Sequence, residues 1–211
     1  VSLLYQSQSD WIDNGFTGEN DALGGHNTGA FRVQFLWQAS ERFSALLNLH
    51  GWELDGTARV FRANILKPGS NDLASGFSQD KVYQDGLNDQ EISSQGGAFT
   101  LNYEFDFGTL TAITGYETLD MFSRGDIDGG FGAVFAPPSG PGFIPFPSES
   151  ADGLPELDQF TQEIRLASDT GGAWDWLVGF FYFDESLQAE TTSYNTLGGN
   201  VQDGYAFQVQ D

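Results

Sequence analysis

An antiparallel up-and-down β-meander, curved into part of a transmembrane barrel, is the fold class this sequence predicts. Three observations predict it. Apolar and polar residues alternate with period two over strand-length segments. Short turns take their place in turn with long polar loops, as periplasmic turns and extracellular loops do in an outer-membrane barrel. No segment carries an amphipathic helical pattern, and none reaches the roughly 18–20 consecutive apolar residues of a membrane helix.

The segments follow in order. The first is Val1 to Ser9. The second, Ala30 to Gln38, sets Phe31, Val33, Phe35 and Trp37 against Arg32, Gln34, Leu36 and Gln38. The third, Phe43 to Leu54, sets Phe43, Ala45, Leu47 and Leu49 against Ser44, Leu46, Asn48 and His50. The fourth starts at Ala98 and is the cleanest, with Phe99, Leu101, Tyr103 and Phe105 opposing Thr100, Asn102, Glu104 and Asp106. The fifth, Thr109 to Phe122, is mixed. The sixth, Leu157 to Ser168, carries Phe160, Ile164 and Leu166 against Thr161, Glu163 and Arg165. The seventh, Ala173 to Glu185, carries Trp174, Trp176, Val178, Phe180 and Tyr182, and the eighth starts at Tyr205. The total is about eight strands.

The connections fix the meander. Ser40-Glu41-Arg42, Asp106-Phe107-Gly108 and Asp169-Thr170-Gly171-Gly172 read as tight turns. Trp11 to Asn27, Asp55 to Gln90, Ser123 to Glu156 and Gln188 to Gly204 read as long loops. A soluble sandwich has no reason to lengthen every second connection. Within the third loop, Phe131 to Pro155 is rich in proline and does not suit a sheet interior. Its phenylalanines pack on their own loop or fold back toward a lumen.

Aromatic residues make up 15% of the 211 residues, and glycine is abundant with 27 copies. This composition suits either a membrane-facing strand set or the core of an aromatic-rich sandwich. Trp37, Trp52, Phe122, Trp174, Trp176 and Tyr182 lie near strand ends, where interfacial girdles sit. The sequence has no cysteine, which excludes a disulfide framework and a thiolate metal site. The net charge of −22, with only eight Lys and Arg, disfavours nucleic acid as a partner. The acid falls largely in the loops, as at Asp13, Glu19, Asp72, Asp85, Asp126 and Asp128. It reads as a solvated, self-repelling surface, as divalent-ion bridging to lipopolysaccharide, or as adaptation to salt.

No enzyme constellation is present. The sequence lacks a Gly-x-Ser-x-Gly elbow, a phosphate loop, a dinucleotide fingerprint and a His-Glu-x-x-His helix. His26 and His50 read as polar surface or lumen residues. Asp184 and Glu185 are adjacent on a strand, so they point to opposite faces and make no glycosidase pair. Asp126-Ile127-Asp128-Gly129-Gly130 is similar to the start of a calcium loop, but the twelfth position holds Pro137 in place of the bidentate glutamate. No catalytic, cofactor-binding or metal-ligating residue is assigned from the sequence.

Two stretches carry a family resemblance. Leu157-Asp158-Gln159-Phe160-Thr161-Gln162-Glu163-Ile164-Arg165-Leu166-Ala167-Ser168, followed by Trp174-Asp175-Trp176-Leu177-Val178-Gly179-Phe180-Phe181-Tyr182-Phe183, resembles a barrel hairpin of TonB-dependent outer-membrane receptors. Leu110-Thr111-Ala112-Ile113-Thr114-Gly115-Tyr116-Glu117 resembles another recurrent strand of that family, and Gly15-Phe16-Thr17-Gly18-Glu19-Asn20 an early barrel loop. The resemblance implies a barrel of about 22 strands closed around an N-terminal plug, of which this chain would be roughly a third. It implies TonB-energised import of a scarce bulky nutrient, such as a ferric siderophore, across the outer membrane. Partners would be outer-membrane lipid, lipopolysaccharide, the small-molecule ligand, and the TonB complex through the plug-bearing part.

Both ends, Val1-Ser2-Leu3-Leu4-Tyr5 and Phe207-Gln208-Val209-Gln210-Asp211, fall inside alternating segments. No initiator Met, basic n-region or signal peptide opens the sequence. Residues 1–211 therefore read as one partial barrel domain, truncated at both ends. Lumen-facing candidates are Arg32, Gln34, Asn48, Asn102, Glu104, Glu163 and Arg165. Two rivals share part of this pattern: a passive porin-like channel, and a secreted acidic carbohydrate-binding β-sandwich.

Overall fold

A computed structural model describes residues 1–63, 65–67, 69–129, 149–169, 171, 173–195 and 201–210. Eleven strands and no helix occur among them. Eight strands form one antiparallel sheet in the order β1 (Ser2–Gln8), β4 (His26–Gln38), β5 (Phe43–Gly56), β7 (Asp89–Phe105), β8 (Gly108–Asp126), β9 (Glu149–Ser168), β10 (Leu177–Asn195) and β11 (Val201–Gln210). Neighbours in this sheet follow each other along the chain, apart from three short strands. Those are β2 (Ile12–Asn14), β3 (Glu19–Leu23) and β6 (Lys81–Val82), which make a separate small sheet inside two loops. The large sheet is open: no pairing joins β1 to β11 among the described residues.

Register explains why one face is apolar. Residues paired across strands share a face. One row runs Trp37, Ala45, Leu101, Ala112, Ile164, Phe180 across six strands, and each member pairs with the next. The adjacent row on that face runs Phe35, Leu47, Phe99, Thr114, Gln162, Tyr182. No helix or second sheet covers these rows among the described residues, and Phe35 stays 64% and Phe180 60% exposed.

The apolar character is confined to the short-turn end. On β7 it runs from Phe105 to Phe99 and gives way to Gln95, Ser93, Glu91 and Asp89 on the same face. On β5 it runs from Phe43 to Leu49 and gives way to Glu53 and Asp55. A barrel strand needs about 9–11 residues to cross hydrocarbon. Strands of 17 to 20 residues such as β7 and β9 therefore reach well past such a band.

In β7 the odd-numbered positions from Asp89 to Gln95 are exposed, whereas Gln90, Ile92 and Ser94 are half-buried, so the even-numbered, polar face is the more shielded one at this end of the strand.

Several expected boundaries move. The fourth segment begins at Asp89, not Ala98, because Gly96 and Gly97 offer no side chains to mark an alternation. The loop expected from Gln188 to Gly204 is mostly strand. Beyond the apolar band its strands carry polar pairs, with Thr191 donating to Asp152 Oδ1 at 2.9 Å and Ser193 to Asp203 Oδ1 at 2.8 Å. Strands β8 and β9 likewise extend into the loop expected from Ser123 to Glu156. Pro155 lies within β9, at a register shift where it pairs with neither neighbour, which is where a sheet tolerates proline. The rest of the proline-rich stretch, residues 130–148, lies outside the described residues. The seventh segment starts at Leu177, so Trp174 and Trp176 precede the strand. Trp52 pairs with Ala30 and Ser94 and so falls on the polar face, away from an outer girdle.

Candidate functional site

Two regions concentrate polar chemistry: the polar face of the sheet, and a loop cap at the long-connection end.

All seven lumen-facing candidates share one face of the sheet, the polar one. Arg32 pairs with His50, Gln34 with Asn48, Asn102 with Ser44 and Thr111, and Glu104 with Thr109. Thr111 pairs in turn with Arg165, and Ile113 with Glu163. The structure brings some of them together. Arg165 Nη1 lies 3.1 Å from Glu163 Oε1. Thr111 Oγ1 donates to Asn102 Oδ1 at 2.9 Å. Asn48 Nδ2 lies 3.5 Å from His50 Nδ1. Arg32, Gln34 and Glu104 remain exposed and apart from these pairs.

One contact was not visible in the sequence. Glu117 on β8 reaches across β7 to His50 on β5, with Oε2 at 3.0 Å from Nε2. It crosses at Gly96, where a Cβ would strike the Glu117 carboxylate and the Tyr116 carbonyl. Only the register, with His50, Gly96 and Glu117 in one row, reveals this bridge.

The cap is built from the loops. Thr57 N donates to Gly25 O at 2.9 Å, and Asn14 Nδ2 donates to Gln84 O at 2.9 Å, so the two loops interlock. Ile12, Ala58, Val82 and Ala151 form a small buried core. Beside it lie buried polar groups: Gln84, Asn88, Asp126, Asp128 and Glu149.

Asp126 and Glu149 are directly paired across β8 and β9, and both are fully buried. Like charges placed so repel. Three consecutive backbone N–H groups answer them. Asp85 N and Gly86 N each donate to Asp126 Oδ2 at 3.0 Å, and Leu87 N donates to Glu149 Oε1 at 3.1 Å. Arg124 pairs with Glu149 Oε1 and stacks on the Tyr194 ring at 3.7 Å. Burial pushes the Asp126 carboxyl up to about 7; the Gly86 N–H pulls it back, and the Asp128 and Asp85 charges raise it again.

Arg124 is the salt-bridge partner of the buried Glu149, so its loss has a large expected cost. Arg124→Met leaves Glu149 buried without its counter-charge and destabilises the cap by roughly 3–5 kcal/mol. Hydrogen exchange at the Leu87 amide, which donates to Glu149, reads this directly. Arg42→Met at the exposed Arg42–Asp106 pair shifts stability by at most about 1 kcal/mol.

No family model matches the chain, and no curated protein or solved structure matches it.

Proposed function

We propose that this chain is a segment of a TonB-dependent receptor barrel in the outer membrane, acting in energised uptake of a scarce bulky nutrient such as a ferric siderophore. The observation that supports this best is the apolar row from Trp37 to Phe180, continuous over six strands and left uncovered. A bilayer is the medium that such a face requires. The resemblance adds the family: the Leu157–Ser168 stretch and the Leu177–Phe183 stretch pair as one hairpin.

In this reading the barrel performs no covalent chemistry. The loops capture the ligand outside, and the polar face passes it inward past Arg32, Gln34, Asn48, Asn102, Glu104, Glu163 and Arg165. Plug movement, driven by the TonB complex, opens the path. The secreted sandwich is disfavoured because nothing described covers the apolar rows.

Reading the coding sequence upstream of Val1 tests the family. A plug domain with a TonB-contacting segment is the expected result. A signal peptide directly before the strands would replace the receptor with a passive porin-like channel.

A further inference from the structure

We propose that the cap holds a divalent-cation site, suited to Ca²⁺, formed by Asp85, Asp126 and Asp128 with Glu149 beside them. The site is built from carboxylates of the cap and holds whatever medium meets the apolar face.

One carboxylate oxygen from each of Asp85, Asp126 and Asp128 lies within 4.8 Å of the other two. Oxygens around a single Ca²⁺ sit about 2.3–2.6 Å from it, so opposite ligands are about 5 Å apart. The three oxygens can therefore share one ion.

A separate observation points to a ligand. Glu149 is fully buried, and its Oε2 has no hydrogen-bond partner. It lies beside Asp126: a Cβ on Gly86 would be 3.1 Å from both Glu149 Oε2 and Asp126 Cβ. Asp126 Oδ1 is likewise buried, and no backbone N–H reaches it. A carboxylate oxygen sealed from water without a partner is costly. Backbone N–H groups have taken Asp126 Oδ2 and Glu149 Oε1, which leaves the other oxygens for a cation.

Charge and donor type select the ion. Three carboxylates gather here, and Arg124 pairs with a fourth, that of Glu149. All donors are hard oxygens, which suits Ca²⁺ or Mg²⁺ over softer metals. Several carboxylates from separate segments favour Ca²⁺, because Mg²⁺ keeps most of its waters and takes one or two. Asp85 is only half-buried, which gives the ion an entrance. The ion would tie the segment before β7 to the end of β8, residues 41 positions apart.

The test titrates CaCl₂ into the metal-stripped intact protein in detergent micelles, read by calorimetry. One saturable site is expected. Asp85→Asn and Asp128→Asn, each retaining the β-type circular dichroism spectrum, should weaken it at least tenfold. Asp72→Asn, at an exposed acid of the same loop, should leave it unchanged. Ca²⁺ should also slow tryptic cleavage after Arg59, Arg62 and Lys81. No saturable binding, equal binding by the Asp85 and Asp128 variants, or an equal response to MgCl₂ would each overturn the assignment.

Discussion

Phe180→Arg lowers the folding stability of the membrane-embedded protein by about 2–4 kcal/mol, the cost of a cation at mid-bilayer on a barrel's lipid face. Phe181→Arg, one residue on, costs far less. The two phenylalanines are equally exposed, at 60% and 61%. Exposure alone therefore predicts the same small effect for both. What separates them is the face. Phe180 pairs with Ile164 in the apolar row, whereas Phe181 pairs with Glu163 on the polar face. An arginine at 181 stands opposite a carboxylate, a cross-strand pair worth roughly 0.2–1 kcal/mol in its favour. Reversible urea unfolding in lipid vesicles measures both. Costs within about 0.5 kcal/mol for each would mean that water wets both sides.

Without detergent or lipid, the chain expressed by itself aggregates; in micelles it becomes monodisperse. Three features drive association. The apolar rows are uncovered, and each aromatic removed from water is worth about 1.5–3 kcal/mol. Strands β1 and β11 are sheet edges. β11 pairs with β10 only from Leu187 onward, so the Phe180 half of β10 is a further edge. The net charge of −22 opposes association. That repulsion is screened beyond about 8 Å at physiological salt, while apolar contact is not. Light scattering on a sizing column separates the outcomes. A monodisperse species without detergent would favour the acidic sandwich.

The alternation legible in Ala30–Gln38, Phe43–Leu54 and Ala98–Asp106 carried the meander and its two faces. All seven lumen-facing candidates fell on one face because period two is fixed by strand geometry. Strand ends were less legible. The Gly96–Gly97 pair silenced the pattern in β7, and the polar upper strands of β10 and β11 resemble loop in composition. The small sheet of β2, β3 and β6 was hidden, since strands of two to five residues leave too little periodicity.

The acid cluster was half legible. Asp126 and Asp128 stood out as a pair, but the expected glutamate of a contiguous loop was missing. Asp85 arrives from another loop, and Glu149 arrives by strand pairing. Neither is close in sequence, so no local spacing announces them. The Glu117–His50 bridge is hidden for the same reason.

These 211 residues hold no cysteine, which makes one measurement direct, because a thiol introduced among them is unique within this chain. Nitroxide labels placed singly from Gly97 to Phe105 in the intact protein, reconstituted in bilayers, report access to oxygen and to a water-soluble nickel chelate. Oxygen access should peak at 99, 101, 103 and 105, with nickel access low there and high at 98, 100, 102 and 104. High nickel access at 99, 101 and 103 would place these rings in water, and the membrane assignment would fall.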